Sequence, residues 1–418
     1  MEYFAIEGGH PLKGTVRISG AKNAVFPIVS AGLLIRDKIH IKNIPEILDV
    51  VNFFDILKEL GAIIEKEGDG YTFDFSGKIS DKVPFDENKS LRGTQTLLGA
   101  LVGRNKRASL PSLGGCNIGS RPIELHLKGM EAFGVKFSWD KGYLNASVHG
   151  KMKGEKIYLD FPSVGATENL IIASCLSSGD TIIENAAREP EIKDLVNFLN
   201  SAGAKIEING SGVIKIHGVE ELHKTSYTII PDRIEASTYL ILGAITQGEI
   251  MLNNVNSHDF EPVIMKLKEM GATIEDKITS VSLKTSTSLK SANIKTLPFP
   301  GFPTDAQPQI MSLLSIVKGT SIISETIFEN RFRAAEELIK MGANIKLEGN
   351  TAIVTGVQSL RPAEVIAPDL RGGASLIIAA LSAKGESKVF EPFHVDRGYE
   401  NIVNKIKEIG GIIERKIS

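Results

Sequence analysis

Cysteine is scarce in this sequence: there are two in 418 residues, Cys116 and Cys175. That excludes a disulfide framework and points to free thiols in a reducing compartment. Surplus charge is missing as well. Lys and Arg number 48 against 50 Asp and Glu, a formal net charge of −2. Nucleic-acid binders carry a basic surplus, so no nucleic-acid partner is expected, and any anion site must come from local clusters of cations. Long apolar runs are absent too. The most apolar early stretch, Val25 to Ile35, covers about 11 residues and includes Pro, Ser and Gly, short of the roughly 20 needed to span a bilayer. The opening MEYFAIEGGHPLKG lacks the basic and apolar regions of a signal peptide. The expectation is a cytoplasmic protein with no membrane insertion. No Walker glycine loop, HExxH or CxxC pair occurs, so neither a nucleotide-hydrolysing loop nor a zinc site is expected.

What the sequence does have is repetition. Six segments end an amphipathic helical pattern in Gly-small and continue into a β-rich run: ELGAII, AFGVKF, SAGAKI, EMGATI, KMGANI and EIGGII. Their glycines are Gly61, Gly134, Gly203, Gly271, Gly342 and Gly410, at intervals of 73, 69, 68, 71 and 68 residues. A glycine between a helix and a strand is where a left-handed C-cap is wanted. In IKDLVNFLNSAG, Ile192, Leu195, Phe198 and Leu199 share one helix face, which must be buried against a sheet. Six such α/β units exceed one domain, and three per domain is the natural division. The division places one domain at 21–230 and the other at 1–20 plus 231–418. The chain then crosses between domains near Gly20 and near Pro231, which predicts a hinge and a cleft.

Several segments have the composition of chemical sites. In SGAKNA, Lys22 and Asn23 precede a helix, a position suited to anions. In LPSLGGCNIGSRP, Gly114, Gly115 and Gly119 surround Cys116, and Arg121 follows. A nearby cation lowers a thiol's pKa, which favours a reactive cysteine over a small buried one. Cys175 lies inside the apolar LIIASCLSS and reads as core. FPSVGATENL sets Ser163, Gly165 and Thr167 at a helix start with Glu168 close by, where capping is the ordinary role. FPGFPTDAQPQ presents Asp305 on a Pro-rich turn, either as a helix cap or as a general base. Arg331 in FENRF, Arg371 in DLRGGAS and Arg397 in VDRGYE join Lys22, Arg92 and Arg121 as candidates to hold a multiply anionic substrate.

Taken in order, GAKNA, GGCNIGSRP, SVGATEN, NAAREPEI, PTDAQPQ, ETIFENRF, DLRGGASL and DRGYE resemble the motifs of the UDP-N-acetylglucosamine 1-carboxyvinyltransferase family over essentially the whole chain. The resemblance implies a two-domain inside-out α/β barrel with six βαβ-type repeats, three in each enolpyruvyl transferase domain. It also implies an enzyme that moves the enolpyruvyl group of phosphoenolpyruvate to UDP-N-acetylglucosamine with release of phosphate, using no metal and no organic cofactor. Lys22 and Asn23 would contact phosphoenolpyruvate, with Arg121 and Arg397 on its phosphate and carboxylate. The UDP-sugar site would draw on Arg92, on Arg121, Pro122, Ile123, Glu124 and Leu125, on Ser163, Val164 and Gly165, and on Asp305 and Ile327. Arg331 and Arg371 would complete the anionic site. Cys116 would be the acid, and the target of the epoxide fosfomycin; Asp305 would take the proton of the sugar 3-hydroxyl. The chain departs from the family's usual residues at Ser112 and Leu113, at Gly93 and Thr94 after Arg92, and at Gly372 in DLRGG. The related shikimate-pathway transferases share the chemistry with another acceptor, and the GGCNIG loop sets this chain apart from them.

Overall fold

The computed structural model describes residues 1–85, 92–111, 123–285 and 288–417. These divide into two compact units: a first made of residues within 20–230, and a second made of residues 1–19 and 231–417. Each has its own hydrophobic core.

Both units are built from three repeats with helices inside and sheets outside. The inner helices are apolar on every side, so no face is left for water. In the second unit they are Arg233–Ile245, Gln307–Leu314 and Leu370–Ser382; all of Gln307–Leu314 and Ile234 to Ile245 are buried. In the first they are Lys22–Gly32, Leu97–Asn105 and Val164–Ser174. Within each unit the three pack on one another. At roughly 1.5–3 kcal/mol per buried large aliphatic side chain, this packing is the main stabilising contribution.

Around each inner bundle stand three sheets. Strands such as Lys38–Lys42 and Thr320–Ser324 alternate buried and outward residues, which fits one face against helices and one toward water. A second helix in each repeat runs into a positive-φ glycine. Leu48–Leu60 ends at Gly61, and the six repeat glycines all have φ between 85° and 110°. Only glycine takes that conformation without steric cost, so the turn into the next strand recurs six times. The strand then pairs in a hairpin, as Ile63–Glu67 does with Gly70–Asp74. An edge strand from elsewhere in the unit adds in parallel, as Ser226–Thr228 does on Lys38–Lys42. Among the described residues five sheets have four strands and one has three, and beside that one Lys82 forms an isolated parallel bridge to Ser109. The hairpin's return strand is an addition to the repeat as read from the sequence.

The opening residues supply two strands to the second unit. Glu2–Gly8 lies between Gly385–Phe390 and Ile412–Ile417, and Lys13–Arg17 pairs with Glu249–Asn253.

Candidate active site

In the second unit, Asp305 stands in the short 3-10 turn Thr304–Ala306 before the inner helix Gln307–Leu314; neither begins with a side-chain cap. Asp305 is thus the N-cap residue of neither. Its carboxylate instead meets two guanidiniums. Oδ1 accepts from Arg331 Nη2 at 2.7 Å, and Oδ2 accepts from Arg371 Nε at 3.2 Å with Nη2 at 3.1 Å. The arginine side chains are 2% and 4% exposed, the aspartate 26%. The cations are therefore almost wholly enclosed, while the carboxylate is partly exposed.

Each arginine is held from behind. Arg331 donates from Nε to the Thr304 carbonyl at 3.1 Å. Arg371, in the first turn of Leu370–Ser382, faces the Tyr399 ring at 5.3 Å. The Tyr399 hydroxyl shares a 2.9 Å hydrogen bond with Thr238 and accepts one from Gln309 at 3.1 Å, all buried. Burial opposes the Arg371 charge, but Tyr399, Asp305 and Asp232 more than offset it and its pKa is raised. Arg397 is half-buried just after the short helix Phe393–Asp396. Burial, with Arg397 adding to it, pushes the neighbouring His394 below its usual pKa, against the pull of Glu391 and Asp369. Ile327 is half-buried and donates its N–H to Glu325 at 2.8 Å.

In the first unit, Lys22 and Asn23 open the inner helix Lys22–Gly32 and are half-buried. Lys22 pairs with Asp49 at 2.8 Å, the two side chains 12% and 5% exposed. Ser163 caps the helix Val164–Ser174, accepting from the Ala166 N–H at 3.4 Å. Val164 and Gly165 form its first turn, and a Cβ at Gly165 would come within 3.0 Å of the His126 ring. Ile123 precedes the helix Glu124–Ala132, whose Glu124 is exposed and Leu125 half-buried. Arg92 begins the 3-10 turn Arg92–Thr96. Cys116, Arg121 and Pro122 lie outside the described residues. Cys175 is buried, as its apolar setting predicts, and burial pushes its thiol up to about 12.

Residues 6–406 match the family model described as EPSP synthase (3-phosphoshikimate 1-carboxyvinyltransferase). The UDP-N-acetylglucosamine 1-carboxyvinyltransferase 2 of Carboxydothermus hydrogenoformans is 47% identical over 417 residues, covering 99% of both chains. The enzyme named UDP-N-acetylglucosamine 1-carboxyvinyltransferase 1 in Clostridium acetobutylicum is also 47% identical, over 99% of this chain and 100% of that one. This chain belongs to the UDP-N-acetylglucosamine 1-carboxyvinyltransferase family. The crystal structure of the enolpyruvyl transferase NikO from Streptomyces tendae agrees in architecture, with a TM-score of 0.89 and 25% identity over 99% of this chain and 98% of that one.

In this UDP-N-acetylglucosamine 1-carboxyvinyltransferase family member, the two glycines read as departures from the family's motifs are tightly packed. A Cβ at Gly93 would lie 2.6 Å from the Phe26 ring, and one at Gly372 would lie 2.7 Å from Pro368. Four buried residues around the carried-over set escaped the sequence reading: Asp49, Glu325, Gln309 and Tyr399. Tyr399 stood inside the DRGYE motif, Glu325 at the head of ETIFENRF and Gln309 at the end of PTDAQPQ, so motif membership was a usable signal for those three. Among the described residues no group of His, Cys, Asp and Glu is placed to hold a metal ion, and no helix is long and apolar enough to cross a membrane.

Proposed function

We propose that this protein transfers the enolpyruvyl group of phosphoenolpyruvate to the 3-hydroxyl of UDP-N-acetylglucosamine, releasing phosphate, in the cytoplasm. This is the first committed step of peptidoglycan precursor synthesis, and so serves cell-wall biogenesis, cell shape and division. Identity of 47% over nearly the full length of enzymes bearing that name supports the reading. The structural observation that carries it is Asp305, a carboxylate freed from capping and gripped by Arg331 and Arg371.

The proposed chemistry is an addition followed by an elimination. A proton delivered to the methylene carbon of phosphoenolpyruvate makes the central carbon electrophilic. Cys116 is the proposed acid. The sugar hydroxyl then attacks, Asp305 takes its proton, and loss of phosphate together with one proton of the new methyl group restores the double bond. Lys22, Asn23, Arg121 and Arg397 are assigned to phosphoenolpyruvate, and cations of this kind stabilise the departing phosphate. Arg331 and Arg371 hold the carboxylate of Asp305 and complete the anionic site. Arg92, Pro122, Ile123, Glu124, Leu125, Ser163, Val164, Gly165 and Ile327 are assigned to the UDP-sugar. In this scheme residues 21–230 and residues 1–20 plus 231–418 act as the two enolpyruvyl transferase domains.

Phosphate release with UDP-N-acetylglucosamine and with 3-phosphoshikimate as competing acceptors tests the assignment. Release with the UDP-sugar alone is expected, and release with shikimate phosphate alone would overturn it. Peptide mapping after fosfomycin treatment should place one adduct on Cys116. Cys175, with its thiol pushed up to about 12, should stay unmodified in the folded protein.

A further inference from the structure

We infer that Glu325 is a positioning residue for Asp305 and for the loop that follows Glu325, an inference that rests on Asp305 being the base. Glu325 comes directly after the strand Thr320–Ser324 and is 2% exposed. Its carboxylate collects four hydrogen bonds from neutral donors. Oε1 accepts from the Thr296 hydroxyl at 2.8 Å, the Ile327 N–H at 2.8 Å and the Phe328 N–H at 3.2 Å. Oε2 accepts from the Thr304 hydroxyl at 3.0 Å.

Thr304 is the residue before Asp305 in the same uncapped 3-10 turn. With its hydroxyl tied to Glu325 and its carbonyl taken by Arg331, Thr304 is fixed at both polar ends. Arg331 in turn holds the Asp305 carboxylate. Thr304, Arg331 and Asp305 therefore form a ring that closes through the chain between Thr304 and Asp305, and Glu325 anchors that ring at Thr304. On its other side, Glu325 pins the backbone of Ile327 and Phe328. The Thr326 hydroxyl and N–H lock the same loop to Thr296. One buried acid thus orients the proposed base and a proposed contact of the UDP-sugar.

The chemistry of the group fits positioning better than plain stability. The Ile327 and Phe328 N–H groups can only donate, and the Thr296 and Thr304 hydroxyls are placed to do the same, so the site suits a side chain that accepts at both ends. An amide in its place would turn a donor toward either Thr304 or the three donors at Oε1. Burying a carboxyl group among polar neighbours is a costly way to join a strand to a loop, and apolar packing would do that more cheaply. What the carboxylate adds is direction.

The test uses the full-length protein and steady-state phosphate release with both substrates. Glu325→Gln should lower kcat at least tenfold and raise KM for UDP-N-acetylglucosamine several-fold. Thr304→Val cuts only the arm to the base and should lower kcat with that KM unchanged. In an Asp305→Asn background, Thr304→Val should lower kcat no further, whereas a merely structural role would give the same fractional loss in both backgrounds. Near-wild-type kcat in Thr304→Val, or an equal loss in both backgrounds, would overturn the inference, and Thr304→Val suffices if Glu325→Gln fails to fold. Asp305→Asn separates the two levels. If it retains turnover, the base reading fails; if it is inactive while Thr304→Val and Glu325→Gln are normal, only the role of Glu325 fails.

Discussion

The inner helices of the second unit are approached through Asp232, Asp305 and Asp369, whereas those of the first are approached through Ala21, Thr96 and Ser163. Two of the three aspartates are ordinary caps. Asp232 accepts from Ile234 and Glu235 N–H at 2.8 and 2.9 Å, and Asp369 from Arg371 and Gly372 N–H at 3.0 and 2.9 Å. Asp305 breaks the pattern and turns to two buried guanidiniums. A repeat makes such a departure readable, because its sister positions show what the structural role alone looks like. In the first unit the buried acid beside an inner helix start, Glu168, has the opposite fate. Burial, with Glu191 and Glu189 adding to it, raises its pKa well above the usual range and favours the neutral form.

Removing the departure should cost most. Asp305→Asn keeps shape but not basicity, and turnover should fall by a factor on the order of 100 or more. Binding of UDP-N-acetylglucosamine, measured by calorimetry, should change far less. Turnover close to wild type would return Asp305 to the company of Asp232 and Asp369.

The ion pairs can be weighed next. A double-mutant cycle of Asp305→Asn with Arg371→Gln, read from denaturant unfolding, should give a coupling of about 2 kcal/mol. The same cycle between Asp232→Asn and Arg371→Gln should give less, since Asp305 contacts the guanidinium at 3.1 Å whereas Asp232 Oδ1 caps its own helix and acts on Arg371 through its charge. Equal couplings would erase the distinction drawn between the two aspartates.

Glu168→Gln sharpens the contrast from the first unit. A carboxyl whose folded pKa is raised contributes fully below its unfolded pKa, near 4.5. That contribution is lost as pH rises toward the folded value, at no more than about 1.4 kcal/mol per pH unit. The amide mimics the neutral acid and does not titrate. The variant's unfolding midpoint should therefore match wild type near pH 4.5 and exceed it increasingly at higher pH. A constant offset across the range would show that Glu168 is not held neutral.

The caps should give the smallest effects. Asp232→Ala and Asp369→Ala should each cost about 1 kcal/mol, a shift of roughly 2–4 °C in the melting point of a unit this size. Asparagine at either site should restore most of it, because it caps nearly as well. Failure of asparagine to restore Asp232 would mean that its charge acts beyond the helix.

The repeats were legible in the sequence because their signals are local. A glycine closing an apolar helix before a strand needs only its own neighbours to be understood, and all six are in the left-handed region. The buried stripe Ile192, Leu195, Phe198 and Leu199 was legible for the same reason. The state of Asp305 was not. Whether an acid before a helix caps it or faces a cation depends on Arg331 and Arg371, 26 and 66 residues away. The Lys22–Asp49 pair and the joining of Tyr399 with Gln309 and Thr238 are likewise made only by folding. Family resemblance supplied names for many of these positions, but it named partners for none of them.

The placement of Glu2–Gly8 between Gly385–Phe390 and Ile412–Ile417 has a consequence for how the chain is made. The strand that emerges early is completed on both sides by strands that emerge nearly four hundred residues later. At about 5–20 residues per second, it waits on the order of 20–80 s for its neighbours. The first unit, by contrast, is drawn from residues within 20–230, and the last of its described strands is complete once Thr228 has emerged. During synthesis the molecule therefore carries a finished half beside an unclosed one, whose first strand keeps open edges for most of that time. Such edges invite pairing with other chains, so the vulnerable interval belongs to the half that bears Asp305.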